Sequence, residues 1–199
     1  FSRADGIAPL LAGSRASIEE LARGLSRVSL NRPVGGAFEY SNLNYVLRAQ
    51  SADGSWPYAT DGVRDFVDHF HTCFVLKALA KVETLTSDTA ISQAIESGVA
   101  YYVRQLFDES GRPRPFAVAP RLTVYRQELY DYAECINLAT LLRGRFAALD
   151  QRLASTLDDL FARWRKSDGS FRSRKLILGW DNVPMHRWAQ AQLFRSLAF

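Results

Sequence analysis

The segment Ser51-Ala-Asp-Gly-Ser-Trp56 decides the predicted fold, because similar phrases recur twice further along the chain. The later copies are Asp108-Glu-Ser-Gly-Arg-Pro113 and Ser167-Asp-Gly-Ser-Phe171, and the three glycines stand 57 and 58 residues apart. Each copy follows one amphipathic helical pattern and precedes another. A single pair of helices cannot bury both of its faces, so neighbouring pairs have to stack. The sequence therefore predicts repeated helical hairpins.

Apolar periodicity places the helices of these hairpins. The predicted helices cover residues 17–30, 37–50, 64–81, 88–107, 125–146, 150–166 and 184–199. No alternating run is long enough for a sheet, although residues 171–178 have the length of a short hairpin arm. The predicted fold class is all-α, a single domain over residues 1–199 whose hairpins form a ring or an open arc. Closing a ring takes more hairpins than this chain contains, so we expect part of a longer protein or one protomer of a homo-oligomer.

Composition excludes several classes of protein. Apolar residues make up 47% and charged residues 23% of the 199 residues, as in ordinary globular domains. No apolar run approaches the roughly 20 residues that span a bilayer, and no basic stripe interleaved with aromatic residues indicates nucleic-acid binding. Cys73 and Cys135 are far apart, which favours free thiols in a reducing cytoplasm. The net charge of +4 permits an anionic ligand.

One motif carries a resemblance to a known superfamily. The spacing Tyr45-Val46-x3-Gln50-x3-Gly54-x-Trp56 resembles the QW motif of triterpene cyclases and related α/α toroids. The resemblance implies an α/α toroid, or an open arc of one. It also implies that Gln50 caps the end of one helix and that Trp56 packs beside it at the start of the next. Both residues are therefore expected to be structural rather than catalytic.

A second segment, Asp68-His69-Phe70-His71-Thr72-Cys73, resembles protein prenyltransferase β subunits, in which the histidine at the position of His71 binds zinc. The other zinc ligands of that family lie upstream, and Cys73 is the first cysteine of this chain. A zinc site needs three protein ligands, so we predict no metal and no cofactor. The acidic motif of class II cyclases is also missing, since Thr156-Leu-Asp-Asp159 has threonine in its first position.

The joint pattern is similar to bacterial toroid proteins found among surface-polysaccharide biosynthesis proteins. It consists of Asp53–Tyr58, then Asp68-x-Phe-His-Thr, then Arg187-Trp188-x-Gln190-Ala191. This resemblance implies a role in polysaccharide biosynthesis, and α/α toroids also include uronate lyases and epimerases. Fold-level likeness alone is a weak guide to function, so the site residues have to carry the argument.

Candidate site residues stand in the first turns of the helices that follow the glycine phrases, and in the loops before them. In a ring or arc these turns meet at one mouth, where helix N-termini and arginines favour anions. We predict that His71 carries a proton, that Asp68 orients it, and that Tyr58 acts as acid or base. The predicted substrate-binding residues are Arg126, Tyr130, Arg174, His186, Arg187 and Gln190.

Two interpretations of His71 remain open at this stage. His71 aligns with Ala133 and Ala189 in the other repeats, so either it faces the central cavity or it is a core histidine bonded to a neighbouring helix. His69 pairs with Asp65 by i,i+4 spacing and is expected at the surface.

Three hypotheses for function follow from these residues. The favoured one is an enzyme with epimerase- or lyase-like proton transfer on an anionic sugar or glycan. The second is a non-catalytic helical-repeat module that binds a partner or glycan. The third is an isoprenoid cyclase- or transferase-like enzyme whose acidic motif lies outside this chain.

Overall fold

The computed structural model describes residues 37–198, and for residues 37–41, His186 and Arg187 it describes the backbone only. The predicted helix over 17–30 therefore lies outside the described residues. The helices are α1 (Ala37–Arg48), α2 (His69–Glu83), α3 (Thr89–Gln105), α4 (Leu129–Leu141), α5 (Ala147–Asp159) and α6 (Ala191–Leu197). π-Helical turns extend α5 over Leu160–Trp164 and precede α6 over His186–Gln190. The strands are β1 (Val67–Asp68), β2 (Phe116–Val118), β3 (Tyr125–Glu128), β4 (Arg174–Leu176) and β5 (Trp180–Asp181).

The strands show that the all-α toroid prediction is wrong. The fold is mixed, with 52% helix, 12% strand and two small antiparallel sheets. β1 pairs with β2, and β4 lies between β3 and β5. The longest of these strands has four residues, which is too short to show an alternating pattern in the sequence.

Two predicted helices begin too early because a short strand occupies their predicted first residues. The predicted helix over 64–81 begins at His69, because β1 occupies Val67–Asp68. The predicted helix over 125–146 begins at Leu129, because β3 occupies Tyr125–Glu128. Both strands are fixed by pairing with segments far along the chain, which local periodicity does not reveal.

The helices form two layers. α4 packs between α2 and α6, so these three helices lie side by side. α3 packs on α2, α5 packs on α4, and α3 also contacts α5 and α1. Fully buried Leu76, Ile95 and Leu138 join α2, α3 and α4 in one core cluster. A second cluster with Tyr132 and Trp164 joins α4 to the end of α5 and to α6. Each such side chain contributes about 1.5–3 kcal/mol by leaving water.

The glycine phrases form the same turn three times, as their similarity in sequence predicted. Gly54, Gly111 and Gly169 have φ angles of 94°, 77° and 85°, a left-handed conformation that favours glycine. In the first copy Ser51 N–H donates to Ser55 O, and Gly54 N–H donates to Ser51 O. The other two copies repeat both hydrogen bonds at the equivalent positions.

The QW-type residues link α1 to α3. Gln50 Nε2 donates to the carbonyl oxygens of Gly54 and Ala94, at 3.1 and 3.0 Å. Trp56 is buried and its Nε1 donates to Val46 O at 2.9 Å. These contacts give both residues the structural role expected from the sequence.

Candidate functional site

The first turns of α2 and α4 lie side by side and set the register of the site. His69 N–H donates to Pro115 O, and Leu129 N–H donates to Ser173 O in the equivalent position. His69 therefore corresponds to Leu129, and the next residue, Phe70, corresponds to Tyr130. The ring centroids of Phe70 and Tyr130 are 5.2 Å apart. The sequence alignment, which matched Phe70 with Tyr132, was two residues out of register.

In the same register, the residue of the next repeat that is equivalent to His71 is a carboxylic acid. This residue is Asp131 on α4, whereas the sequence alignment matched His71 with Ala133. The first turns of α2 and α4 therefore both carry a titratable side chain at this position. The row of aromatic rings formed by Phe70 and Tyr130 continues with Trp188, whose ring centroid lies 5.2 Å from that of Tyr130. The aromatic row of Phe70, Tyr130 and Trp188 therefore crosses three neighbouring repeats.

His71 and Asp68 form a hydrogen-bonded pair at the start of α2. Asp68 caps this helix, since its Oδ1 accepts the His71 N–H at 2.9 Å. Its Oδ2 lies 2.6 Å from His71 Nδ1. The Asp68 side chain is only 3% exposed, whereas the His71 side chain is 41% exposed. The imidazole is therefore oriented from the buried side, and Nε2 is the nitrogen that remains for proton exchange.

Tyr58 stands beside this pair, so the three predicted catalytic residues come together. Its ring stacks on Phe66 at a centroid distance of 4.4 Å and meets His71 edge-on at 4.8 Å. Tyr58 N–H also donates to Phe66 O at 2.8 Å, which fixes the loop against the segment before β1. The Tyr58 side chain is exposed, and its hydroxyl is therefore available to a ligand.

Asp131 lies in one of the first turns expected at the mouth but was not among the predicted site residues. It is 0% exposed, and neither carboxylate oxygen has a hydrogen-bond partner among the described residues. Burial raises the pKa of Asp131 well above its usual value, and the negative charges of Glu128, Asp68 and Glu134 raise it further. The uncharged form of Asp131 is therefore favoured in comparison with an exposed aspartate. The signal that could have found it is the structural match to His71, which required the correct register.

Arg174 was predicted to bind substrate, but its charge is used within the protein. Its guanidinium pairs with Glu128 Oε1 at 2.6 Å and lies 5.1 Å from the centre of the Tyr125 ring. Burial raises the pKa of Tyr125 to about 12, with further contributions from the charges of Glu128 and Asp131. The Arg174–Glu128 pair thus adds no net charge beside Asp131.

The other predicted binding residues are divided among different surroundings. Tyr130 is buried in the aromatic row, and burial raises its pKa to about 12. Gln190 bonds to the backbone of Phe171, since its Nε2 donates to Phe171 O at 2.6 Å. The side chains of His186 and Arg187 lie outside the described part of the structure.

Arg126 lines a separate groove of about 470 Å³, which we call the basic groove. Its walls come from the loop before β2, from β3 and from the end of α5. It is lined by Asp108, Arg112, Arg114, Pro115, Phe116, Ala119, Thr123, Tyr125, Arg126, Gln127, Arg163 and Lys175. His71 is not among these residues, so the predicted binding residue Arg126 and the predicted proton carrier line different surfaces. The two surfaces are linked by Phe116, which lines the groove and meets Phe66 edge-on at 6.2 Å between ring centroids.

His69 is buried rather than at the surface. Its Nδ1 lies 3.1 Å from Arg114 O and its Nε2 lies 2.7 Å from the Tyr102 hydroxyl. The carbonyl can only accept, so Nδ1 carries the proton and Nε2 accepts from Tyr102. The predicted surface pair with Asp65 fails because α2 begins at His69 itself. Asp65 precedes the helix, and i,i+4 spacing does not apply.

Within the described residues, no group of three or more His, Cys, Asp and Glu side chains is arranged to hold a metal ion. The helices of the same region include none with the length and apolarity needed to cross a membrane. No protein-family model matches the chain, and the curated proteins and solved structures contain no match either.

Proposed function

We propose that Tyr58, Asp68 and His71 form an acid–base site that moves a proton on an anionic sugar or glycan, as a lyase or an epimerase does. The observation that carries the proposal is the 2.6 Å contact between His71 Nδ1 and a buried Asp68 carboxylate. It orients a partly exposed imidazole in the manner of a general base. Polysaccharide biosynthesis in the cytoplasm is the setting we propose, and both cysteines are free and buried, as a reducing compartment allows.

The proposed reaction begins at the carbon next to the sugar carboxylate. His71 Nε2 takes the proton from this carbon, and the electron pair of the C–H bond moves into the carboxylate. In an epimerase, the Tyr58 hydroxyl returns a proton to the opposite face. In a lyase, the electron pair returns from the carboxylate to form a C=C bond, the C–O bond at the neighbouring carbon breaks, and the leaving oxygen takes the proton from Tyr58. Solvent then returns a proton to Tyr58 and removes the one that His71 holds.

The charges around His71 suit an anionic substrate. Burial favours the uncharged form of Asp131, and Arg174 balances the charge of Glu128. Both features reduce the repulsion of a bound carboxylate. The exposed end of the aromatic row, Trp188 at 53% exposure, offers a flat apolar face on which a sugar ring can pack.

Exchange of the substrate C–H proton with solvent deuterium tests the proposal, because both reaction types break that bond. The protein is incubated in D₂O with oligosaccharides that contain uronates and with a sugar nucleotide of a uronate, and exchange is followed by NMR. We expect exchange with at least one of these compounds. His71→Gln should slow it about 10²–10⁴-fold.

Two further variants sharpen this test. Asp68→Asn keeps a good helix cap but removes the charge that orients His71, so it should slow exchange without a large loss of stability. Arg143→Gln is the control, because Arg143 is exposed beyond the far end of α4 and should leave the rate unchanged. Neither exchange nor formation of an unsaturated product with any of the compounds, or equal rates in wild type and His71→Gln, would overturn the proposal.

The alternative function is a non-catalytic surface that binds a glycan. It is favoured by the complete burial of Asp131 and by the fact that His71 lies outside the basic groove. Binding of an oligosaccharide that Trp188→Ala weakens and His71→Gln does not, together with absence of exchange, would support this alternative.

A further inference from the structure

We infer that the basic groove binds the diphosphate group of a substrate. This inference rests on the proposed function, because it names how the anionic sugar would be held. The groove does not include the His71 side chain, but Phe116 in its wall meets Phe66, which stacks on Tyr58.

The walls of the groove carry an excess of positive charge. The cationic lining residues are Arg112, Arg114, Arg126, Arg163 and Lys175. Asp108 is the one carboxylate that lines it, and Asp159 beside it pairs with Arg112 and Arg163. Five positive charges against two negative charges leave a net charge of +3. Within the described residues, Arg114, Arg126 and Lys175 have no carboxylate at ion-pair distance, so they attract an anion most directly.

Two of the arginines are held in place by contacts that leave their outer nitrogens for a ligand. Arg112 Nε donates to Asp159 Oδ1 at 3.0 Å, and Arg114 Nε donates to Phe116 O at 2.9 Å. The Nη nitrogens of both arginines make no hydrogen bond to the described part of the protein. A guanidinium fixed in this way presents the paired donors that match phosphate oxygens.

The size of the groove favours one compact, multiply charged group. Its volume of about 470 Å³ lies within the range of small-molecule sites. A uronate chain carries one charge on each sugar ring and would spread its charge beyond this space. A diphosphate concentrates two or more charges in a few ångströms, which matches the net charge of the walls. The same chemistry occurs in a sugar nucleotide and in a lipid-linked diphosphate.

Calorimetric titration with inorganic pyrophosphate at low ionic strength tests the inference. We expect saturable binding to the wild-type chain and binding about 10–100-fold weaker in Arg114→Gln and in Arg126→Gln. Arg126 is exposed, so its substitution should leave the fold intact even if Arg114→Gln does not. Arg143→Gln makes the same charge change outside the groove and should bind pyrophosphate as the wild type does.

The source of the diphosphate is distinguished by competition. Uridine diphosphate and its sugar conjugates should displace pyrophosphate if the substrate is a sugar nucleotide, and geranyl diphosphate should do so if it is lipid-linked. Displacement by either supports the inference. Absence of pyrophosphate binding, equal weakening by Arg143→Gln, or equally strong binding of an oligouronate would overturn it.

The result separates this inference from the proposed function. His71→Gln should bind pyrophosphate normally, because His71 does not line the groove. Normal binding without any proton exchange would leave the groove standing and the acid–base site refuted. Proton exchange without pyrophosphate binding would support the acid–base site and refute the diphosphate site in the groove.

Discussion

His69 and Asp131 are buried titratable residues whose effects on stability have opposite signs. Burial lowers the pKa of His69 to about 3, despite the hydrogen bond to Arg114 O. Unfolded histidine takes up a proton near pH 6.5, so acid favours the unfolded state between about pH 6.5 and 3. Asp131 is protonated in the folded state at pH values where the unfolded chain is ionised. Its contribution is therefore complete below about pH 4 and is lost as the pH rises.

The two contributions oppose each other between pH 4.5 and 6.5, which gives a prediction for two variants. Asp131→Asn leaves the effect of His69, so its free energy of unfolding should fall as the pH falls. The slope should be at most about 1.4 kcal/mol per pH unit, the value for one proton. His69→Leu with Tyr102→Phe leaves the effect of Asp131, so this variant should become more stable as the pH falls. Urea unfolding at several pH values measures both slopes.

Leucine is the matched replacement because Leu129 occupies the position of His69 in the next repeat. Tyr102→Phe accompanies it so that no buried hydroxyl loses its partner. Arg143→Gln is the control, because Arg143 is exposed and does not titrate in this range, and it should keep the pH dependence of the wild-type chain. Parallel slopes in the two variants would contradict the assignment of opposite signs.

The histidines show what local sequence reasoning can reach. The spacing of Asp68 and His71 allowed a correct prediction of their pairing, because both lie within one helical turn. The environment of His69 was predicted wrongly, since its partners Arg114 and Tyr102 belong to distant segments. Asp131 was given no role, because it is recognised as the counterpart of His71 only when the first residues of α2 and α4 are known. Helix starts are set here by strands that pair with remote residues.

The glycine turn is an element that repeats three times in different surroundings. A Cβ at Gly54 would overlap the backbone carbonyl of Ser97 in α3, whereas a Cβ at Gly169 would meet nothing within 4 Å. Gly111 lies between these cases, because its Cβ would come 2.9 Å from the mobile end of the Arg152 side chain. The backbone conformation is nevertheless left-handed in all three.

Alanine substitutions should therefore destabilise the protein in the order Gly54, Gly111, Gly169. Gly169→Ala should cost only the left-handed strain of about 1–2 kcal/mol. Gly54→Ala adds a backbone clash that forces α1 and α3 apart, so its cost should be clearly larger. Thermal unfolding of the three variants measures the order. Equal losses at Gly54 and Gly169 would show that contact with α3 is not tight.

Elements of this kind were predictable in part. The glycine phrases predicted the turns and their spacing, because positive φ angles select glycine. Of the five strands, the same sequence indicated only the hairpin arm over residues 171–178, which contains β4, since strands of two to four residues depend on partners rather than on pattern. The all-α prediction failed at the loops for that reason, while most helices were located within a few residues.

At the scale of the whole molecule, one buried charge links the three central helices. Glu134 on α4 is 0% exposed and pairs with Lys77 on α2 and with Arg195 on α6. Lys77 and Arg195 occupy equivalent positions in their repeats, and α4 provides Asn137 there instead. The middle repeat thus supplies the negative charge that lies between two cations of its neighbours.

The Glu134 network should contribute to stability mainly because leaving a cation unpaired is costly. Glu134→Leu should destabilise the protein by about 3 kcal/mol, the lower end for breaking a buried ion pair. Adding Lys77→Met to that variant should recover most of the loss, because the less exposed cation no longer lacks a partner. Urea unfolding of the two single variants and the double variant gives the coupling energy. Additive losses would show that the two side chains do not interact, and the contact between α2 and α4 would then depend on apolar packing alone.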